Sequence, residues 1–363
     1  MHTVLTVIGT RPQYLKYAAM SAHAPLPFRN VLVDTGQHYD AALSTQFLQE
    51  YAIPAPDVTL KTGDTDGIPR LASMMTQLES VIAAQRPDGL LCFGDTDSTL
   101  AAALTAVRMQ LPVFHVEAGE RSRDMHGTRI PASSATEEAT RVTVDHLSEI
   151  LLCATQDAVD NLDVELVGGD AVHTGDIMFD LFLRAHDALP SPADLRRRYD
   201  LTGEEYALCT IHRAVNTDDS ARLRALIDTL ADLPLHVYLP LHPRTAGRMR
   251  EAGIVPSKDS LHLLPPLAHH EILGLLQGAR HVLTDSGGLT REAYFSGVPS
   301  LCLDDATAWH QLCRSGWCTI TGADPQRIHD AFNSRPETST DPSLFGDGMA
   351  APRILEELRA FFS

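Results

Sequence analysis

A chain of 363 residues that is 44% apolar and 21% charged has the make-up of a folded protein of about two domains, not of a disordered segment. Acidic residues outnumber basic ones 47 to 29, and the formal charge of −18 sets up a field that repels nucleic acid and anionic lipid, so neither is expected as a partner. No run approaches the ~18 apolar residues of a membrane span. The opening MHTVLTVIGTRP reaches Arg-Pro too early for a signal peptide. Six scattered cysteines without a C-x-x-C pair suit reduced thiols, and a cytoplasmic location is expected. The seventeen histidines show no ligand spacing such as H-E-x-x-H, so no metal site is expected.

Short apolar runs at 3–8, 30–34, 89–93, 113–116 and 150–153 read as buried parallel strands. Between them, 14–24, 43–51, 68–85 and 100–111 carry the spacing of amphipathic helices. A second series follows, with strands at 206–210, 235–239, 261–263, 281–283 and 300–303 and helices at 223–230, 270–277 and 289–295. Alternation of this kind implies α/β architecture: two Rossmann-like, doubly wound domains facing across a cleft. The expected division is 1–175, 176–348 and a last helix within 349–363 that packs back on the first domain, with a hinge near 172–180.

In open α/β sheets, ligands bind beyond the carboxyl ends of the strands. Here those ends are crowded with polar residues: Gly9-Thr10-Arg11-Pro12, Thr35-Gly36-Gln37-His38, Gly94-Asp95-Thr96-Asp97-Ser98 and His115-Val116-Glu117-Ala118-Gly119 in the first series. The second series adds His212-Arg213, His242-Pro243-Arg244 and Asp285-Ser286-Gly287-Gly288. Any one of these could be an ordinary turn with a helix cap. Seven together point to a charged site. Asp285-Ser286-Gly287-Gly288 opening a helix is the best phosphate site, because small residues let backbone N–H groups and the helix dipole reach an anion. Neither G-x-G-x-x-G nor a Walker loop accompanies it, so the nucleotide is expected to be a handle or leaving group.

These motifs, together with Lys16, Glu137-Glu138-Ala139-Thr140-Arg141, Thr174-Gly175-Asp176-Ile177-Met178 and Glu292, resemble the UDP-N-acetylglucosamine 2-epimerase family, in order from residue 3 to about residue 320. The resemblance implies the glycosyltransferase-B architecture, a homodimer, no cofactor, and interconversion of UDP-N-acetylglucosamine and UDP-N-acetylmannosamine without hydrolysis. It matches Asp95, Glu117 and Glu137 to the acid/base carboxylates and His212 to the histidine beside the departing phosphate. Arg11, Lys16, Arg141 and His242 fall in ligand-binding motifs; Ser286, Gly287 and Gly288 should receive phosphate oxygens, and Glu292 the ribose hydroxyls. Gln37, His38 and Arg70 are candidates for the second, activating substrate site that some relatives have. The rivals are a hydrolysing 2-epimerase, a glycosyltransferase and a non-catalytic nucleotide-sugar binder.

Three departures from the family pattern stand out. Gln13 replaces a usual Glu, and the chain is about six residues longer between Arg121-Ser122 and Glu137, an insertion that includes 125–134. Downstream, Asp304 and Ala308 occupy positions where relatives commonly have Arg and Glu. An acid beside a pyrophosphate is repulsive unless a cation such as Arg291 or Arg314 compensates.

Overall fold

The computed structural model describes residues 1–37, 50–62, 66–186, 188–203, 205–334, 336 and 339–363. His38 and most of the helix expected over 43–51 lie outside these residues. The chain forms two compact units. The first comprises Met1–Arg121, Pro131–Arg184 and Pro342–Ser363; the second comprises Ser122–Ile130 and Ala185–Asp341.

In the first unit, β1 (Thr3–Ile8), β2 (Arg29–Asp34), β3 (Val58–Thr59), β4 (Gly89–Phe93) and β5 (Val113–Ala118) belong to one parallel sheet. A two-residue strand, β6 (Arg123–Asp124), leaves it, and β7 (Ile150–Cys153) and β8 (Asp170–His173) complete it in the order β3-β2-β1-β4-β5-β7-β8. Leu5, Val7, Val31, Val33 and Leu90 pack against Met74, Leu78 and Ile82 of the helix Gly67–Gln85. Ala101, Ala102 and Ala106 of the helix Asp97–Arg108 complete this layer; small side chains let that helix lie close to the sheet. Each fully buried Leu or Ile contributes roughly 2 kcal/mol.

The second unit repeats the plan. Its strands are β9 (Tyr206–Thr210), β10 (His236–Pro240), β11 (Leu261–Leu264), β12 (His281–Thr284), β13 (Ser300–Cys302), β14 (Ala306–Thr307) and β15 (Cys318–Ile320). Six of them form a parallel sheet in the order β11-β10-β9-β12-β13-β15, while β14 pairs antiparallel with β6. Leu223, Leu226, Ile227 and Leu230 of the helix Ser220–Asp232 cover Val237, Leu239 and Leu283. In both sheets the strand order reverses beside the first strand of the unit, between β1 and β4 and between β9 and β12. Those are the switch points where such folds open a crevice.

The region expected as a hinge, 172–180, begins instead inside β8 and runs into the helix Ile177–His186. β8 is an exposed edge strand, so it lacks the apolar run that marks a buried one. The last helix, Ala350–Phe361, belongs to the first unit, where the Asp180 carboxylate accepts hydrogen bonds from the Ala350 and Ala351 N–H groups at 3.1 and 2.7 Å.

Gly9 shows how tightly the end of β1 is packed. A β-carbon there would lie 1.9 Å from Thr35 Oγ1 and 2.5 Å from Ser98 Oγ, two hydroxyls that hydrogen-bond to each other at 2.7 Å. Gly9→Ala is therefore expected to lower unfolding free energy by about 2–3 kcal/mol in urea titration. A loss below about 0.5 kcal/mol would show that the loop yields without strain.

Candidate active site

In the first unit, Thr10 stands at the N-cap position of the helix Arg11–Ser21, and Gln13, three residues on, accepts from the Thr10 N–H at 3.1 Å. The buried Gln13 amide also donates towards Phe93 O, Thr96 Oγ1 and Thr99 Oγ1 at 2.9–3.0 Å, tying the β1 turn to the β4 turn. A carboxylate could not donate to the Phe93 carbonyl, which accounts for Gln at a position where Glu is usual. One turn later the same helix aims Lys16, only 3% exposed, at Glu117: Nζ lies 2.6 Å from Oε2. Gly94 makes room for it, since a β-carbon there would meet Lys16 Nζ at 3.0 Å.

Glu117, the last residue but one of β5, has φ +68°, the left-handed region that non-glycine residues rarely occupy, and the β5–β7 register shifts across it. Such strain costs about 1–3 kcal/mol and concentrates at functional sites. Beside it, Asp95 is ion-paired with Arg141, which also holds Glu138 at 2.9 Å. Burial alone would lower the Arg141 guanidinium, but the charges of Asp95 and Glu138, with a further contribution from Glu117, hold it above the ordinary arginine range. Asp95, Glu117, Lys16, Arg141 and Glu138 thus form one cluster at the ends of adjacent strands. Glu137 stands apart from it, exposed in the first turn of the helix Thr136–Leu147, where it accepts from the Thr136 hydroxyl at 3.1 Å.

Arg11 is exposed at the start of its helix. Gln37 accepts from the Ser98 N–H and hydroxyl at 3.0 and 2.6 Å, and Arg70 pairs with Asp97 at 2.8 Å and Asp66 at 2.6 Å. Both therefore meet at the start of the helix Asp97–Arg108.

In the second unit, Asp285 follows β12, is fully buried and gathers the β9 turn around itself. It accepts from the main-chain N–H of His212 at 3.0 Å and of Arg213 at 3.0 Å, and from Asn216 Nδ2 at 3.1 Å. His212 Nδ1 lies 3.0 Å from Asp285 Oδ1, with its ring 38% exposed. Burial pushes the Asp285 carboxyl up, but the His212 ring and these donors outweigh it and hold it below the usual carboxylate range. Nδ1 is thus committed to Asp285, with Nε2 on the far edge of the half-exposed ring. The His242 ring lies 5.7 Å away, on the residue that caps the helix Pro243–Glu251.

Ser286 caps the helix Gly287–Phe295 by accepting from the Leu289 N–H at 3.4 Å, and the N–H groups that open a helix have no acceptor within the helix itself. At Gly287 a β-carbon would meet Trp309 Nε1 at 3.0 Å; at Gly288 its nearest neighbour would be Ser286 Oγ at 3.7 Å. Glu292 is buried, and its Oε1 accepts from His269 Nε2 at 2.7 Å. Among the described residues no group of three His, Cys, Asp or Glu could hold a metal ion.

The cation facing Asp304 is neither Arg291 nor Arg314. It is Arg213, whose Nη1 lies 2.7 Å from Asp304 Oδ2, while the Arg291 guanidinium lies 4.0 Å from the Trp309 ring centre. The longer loop lies in the same unit. The segment 122–130 forms a hairpin, its turn held by Asp124 Oδ1 accepting from His126 N at 2.9 Å and Thr128 N at 2.8 Å. Its β6 pairs with β14, directly after Asp304, so the longer loop and the altered segment are one local structure.

Sequence reasoning missed Asn216, and it quoted Glu138 and Asp285 within motifs without giving Glu138 a role or Asp285 its contacts with His212 and Asn216. The i, i+3 spacing of Glu138 and Arg141 was a usable signal; nothing local marks Asp285 as the partner of a residue 73 positions earlier.

The family profile described as UDP-N-acetylglucosamine 2-epimerase matches residues 21–359. The chain belongs to that family. A UDP-2,3-diacetamido-2,3-dideoxy-D-glucuronate 2-epimerase of Pseudomonas aeruginosa is 37% identical, over 98% of this chain and 99% of its own length. The UDP-N-acetylglucosamine 2-epimerase of Escherichia coli K12 is 30% identical over 98% of both chains. The crystal structure of the Methanocaldococcus jannaschii UDP-GlcNAc 2-epimerase, in complex with UDP-GlcNAc and UDP, superposes with a TM-score of 0.88 at 27% identity, covering 99% of each chain. The α/β architecture is thus the glycosyltransferase-B-like one of this family, and no helix among the described residues is long and apolar enough to cross a membrane.

Proposed function

We propose that this chain is a non-hydrolysing 2-epimerase of a UDP-linked 2-acetamido sugar. The observation that carries the reading is the cluster at the ends of β4 and β5, where Asp95 and Glu117 each lie against a cation, Arg141 and Lys16. The sugar's C2 proton does not flank a carbonyl, so its acidity must come from loss of UDP at C1, which builds positive charge next door. Elimination breaks the C1–O and C2–H bonds and leaves UDP and a 2-acetamidoglucal. Re-addition of UDP at C1, with a proton delivered to the other face of C2, inverts that centre. The sum is redox-neutral and consumes no water.

In this reading Asp95, Glu117 and the exposed Glu137 supply proton transfer, and a carboxylate for each face of C2 is what inversion requires. His212, with Nδ1 held by Asp285, offers Nε2 to the departing phosphate. Arg11 and Lys16, with Arg141, supply positive charge; Ser286, Gly287 and Gly288 at the helix start, with His242 nearby, hold the diphosphate. Glu292, oriented by His269, takes the ribose hydroxyls. Gln37 and Arg70 belong to the proposal only as candidates for an activating site. A homodimer is also part of it; light scattering that returns the mass of a single chain would remove that part.

Two substrates compete. UDP-N-acetylglucosamine is the substrate named for most of the relatives, while the 37% identity to the diacetamido-glucuronate enzyme favours a uronate bearing acetamido groups at C2 and C3. Incubation with each, followed by phosphorus NMR and mass spectrometry, separates the readings. The proposal expects a new UDP-sugar of unchanged mass from one of them. Free sugar with UDP indicates hydrolysis, and no turnover of either indicates a binder.

Asp304→Asn offers a further check. It removes an acid beside the proposed diphosphate site and releases Arg213, so UDP should bind about three- to tenfold more tightly, ~1 kcal/mol. Weaker binding by calorimetry would mean that the Arg213–Asp304 pair builds the site rather than opposing it.

A further inference from the structure

Behind the carboxylate cluster lies a second set of charged groups that the reaction itself does not use. His115, in β5, is fully buried. Its Nδ1 lies 2.7 Å from Asp145 Oδ1 and its Nε2 lies 2.7 Å from the Gly94 carbonyl oxygen. Asp145 Oδ2 accepts from the Gly119 N–H at 3.1 Å and pairs with Arg121 Nη1 at 2.6 Å. Arg121 in turn grips Glu165 through Nε at 2.7 Å and Nη2 at 2.8 Å. The Gly94 carbonyl can only accept. Asp145, facing a guanidinium, a main-chain N–H and the ring, is also an acceptor, and these partners hold it below the usual carboxylate range in spite of its burial. Nδ1 of His115 therefore donates to Asp145, and Nε2 lies against the Gly94 carbonyl.

Its placement is what matters. The Gly94 carbonyl immediately precedes Asp95, and Gly119 lies two residues beyond Glu117. The two turns that carry the proposed proton-transfer groups are thus fastened to one imidazole–carboxylate pair. Gly119 is a position only glycine fits: at φ +79°, a β-carbon would meet the Ala158 carbonyl oxygen at 2.3 Å.

We propose that His115 and Asp145 are positioning residues that set the separation of Asp95 and Glu117 and hold Glu117 in its left-handed conformation. The inference rests on the roles assigned to those two carboxylates. Two measurements test it. In the wild-type protein labelled with ¹⁵N-histidine, Nδ1 of the ring in contact with Gly94 should carry a proton shifted far downfield by its hydrogen bond to Asp145; an unprotonated Nδ1 on that ring overturns the proposal, whether or not any variant folds. In Asp145→Asn, a displaced turn should lower kcat by about 10²-fold, while substrate KM and UDP affinity stay within about threefold. Wild-type kcat in that variant overturns the proposal, as does a loss confined to KM. Glu117→Gln keeps the two readings apart. If that variant retains wild-type exchange at C2, the carboxylate roles fall; if it is inactive while Asp145→Asn is fully active, only the positioning role falls.

Discussion

Glu117→Gln should abolish proton exchange at C2 of the substrate, with a fall of about 10³-fold, while UDP affinity stays within a few-fold. The substitution keeps the side chain's shape and removes its capacity to take a proton. The groups proposed to hold UDP, Ser286 to Gly288 and Glu292, lie in the second unit. Stability should fall too. Glu117 neutralises Lys16, which is nearly inaccessible, and a buried ammonium that loses its carboxylate costs up to about 3–5 kcal/mol. Lys16→Met in the same background should recover part of that stability and none of the exchange. Exchange at the wild-type rate in Glu117→Gln would end the role assigned to it.

Asp285→Asn should be nearly as damaging, in a different way. Asp285 accepts from two main-chain N–H groups, from Asn216 and from the His212 ring. An amide in its place must turn a donor towards some of these donors, and it no longer holds His212 with Nδ1–H inward. The expected result is a fall in kcat of about 10³-fold with a lower unfolding midpoint. Acid stability gives a second readout. A carboxyl held below its ordinary value contributes stability that is fully present above the unfolded value of about 3.9 and is lost as pH falls through the folded one. The variant should therefore lose stability at neutral pH and show a shallower acid limb. Unchanged kcat would mean that His212 keeps its function without this partner.

Much of this was legible in the sequence because strands buried on both faces write themselves as apolar runs, and the residues just past them fall at the ligand-binding edge of the sheet. Glu117 and Asp95 were visible on that basis. β8 and β15 were not, one being exposed and the other three residues long. The hairpin 122–130 could not be assigned to the second unit either, because its pairing with β14 joins residues more than 180 positions apart. The same holds for Asp285 with His212: the bond is non-local, so a motif shows each residue without the contact. Asp304 is the sharpest case. Charge reasoning called for a compensating cation, and the cation is Arg213, nearly a hundred residues away in sequence but adjacent in the fold.

One measurement tests elimination and re-addition most directly. The protein is incubated with UDP-N-acetylglucosamine, and separately with the diacetamido-glucuronate analogue, in D₂O, and the sugar C2 position is followed by proton NMR. With one of them deuterium should enter at C2 while the nucleotide sugar remains intact, as elimination and re-addition require. Sugar released with free UDP, or bound substrate that keeps its C2 proton in both cases, would contradict that mechanism.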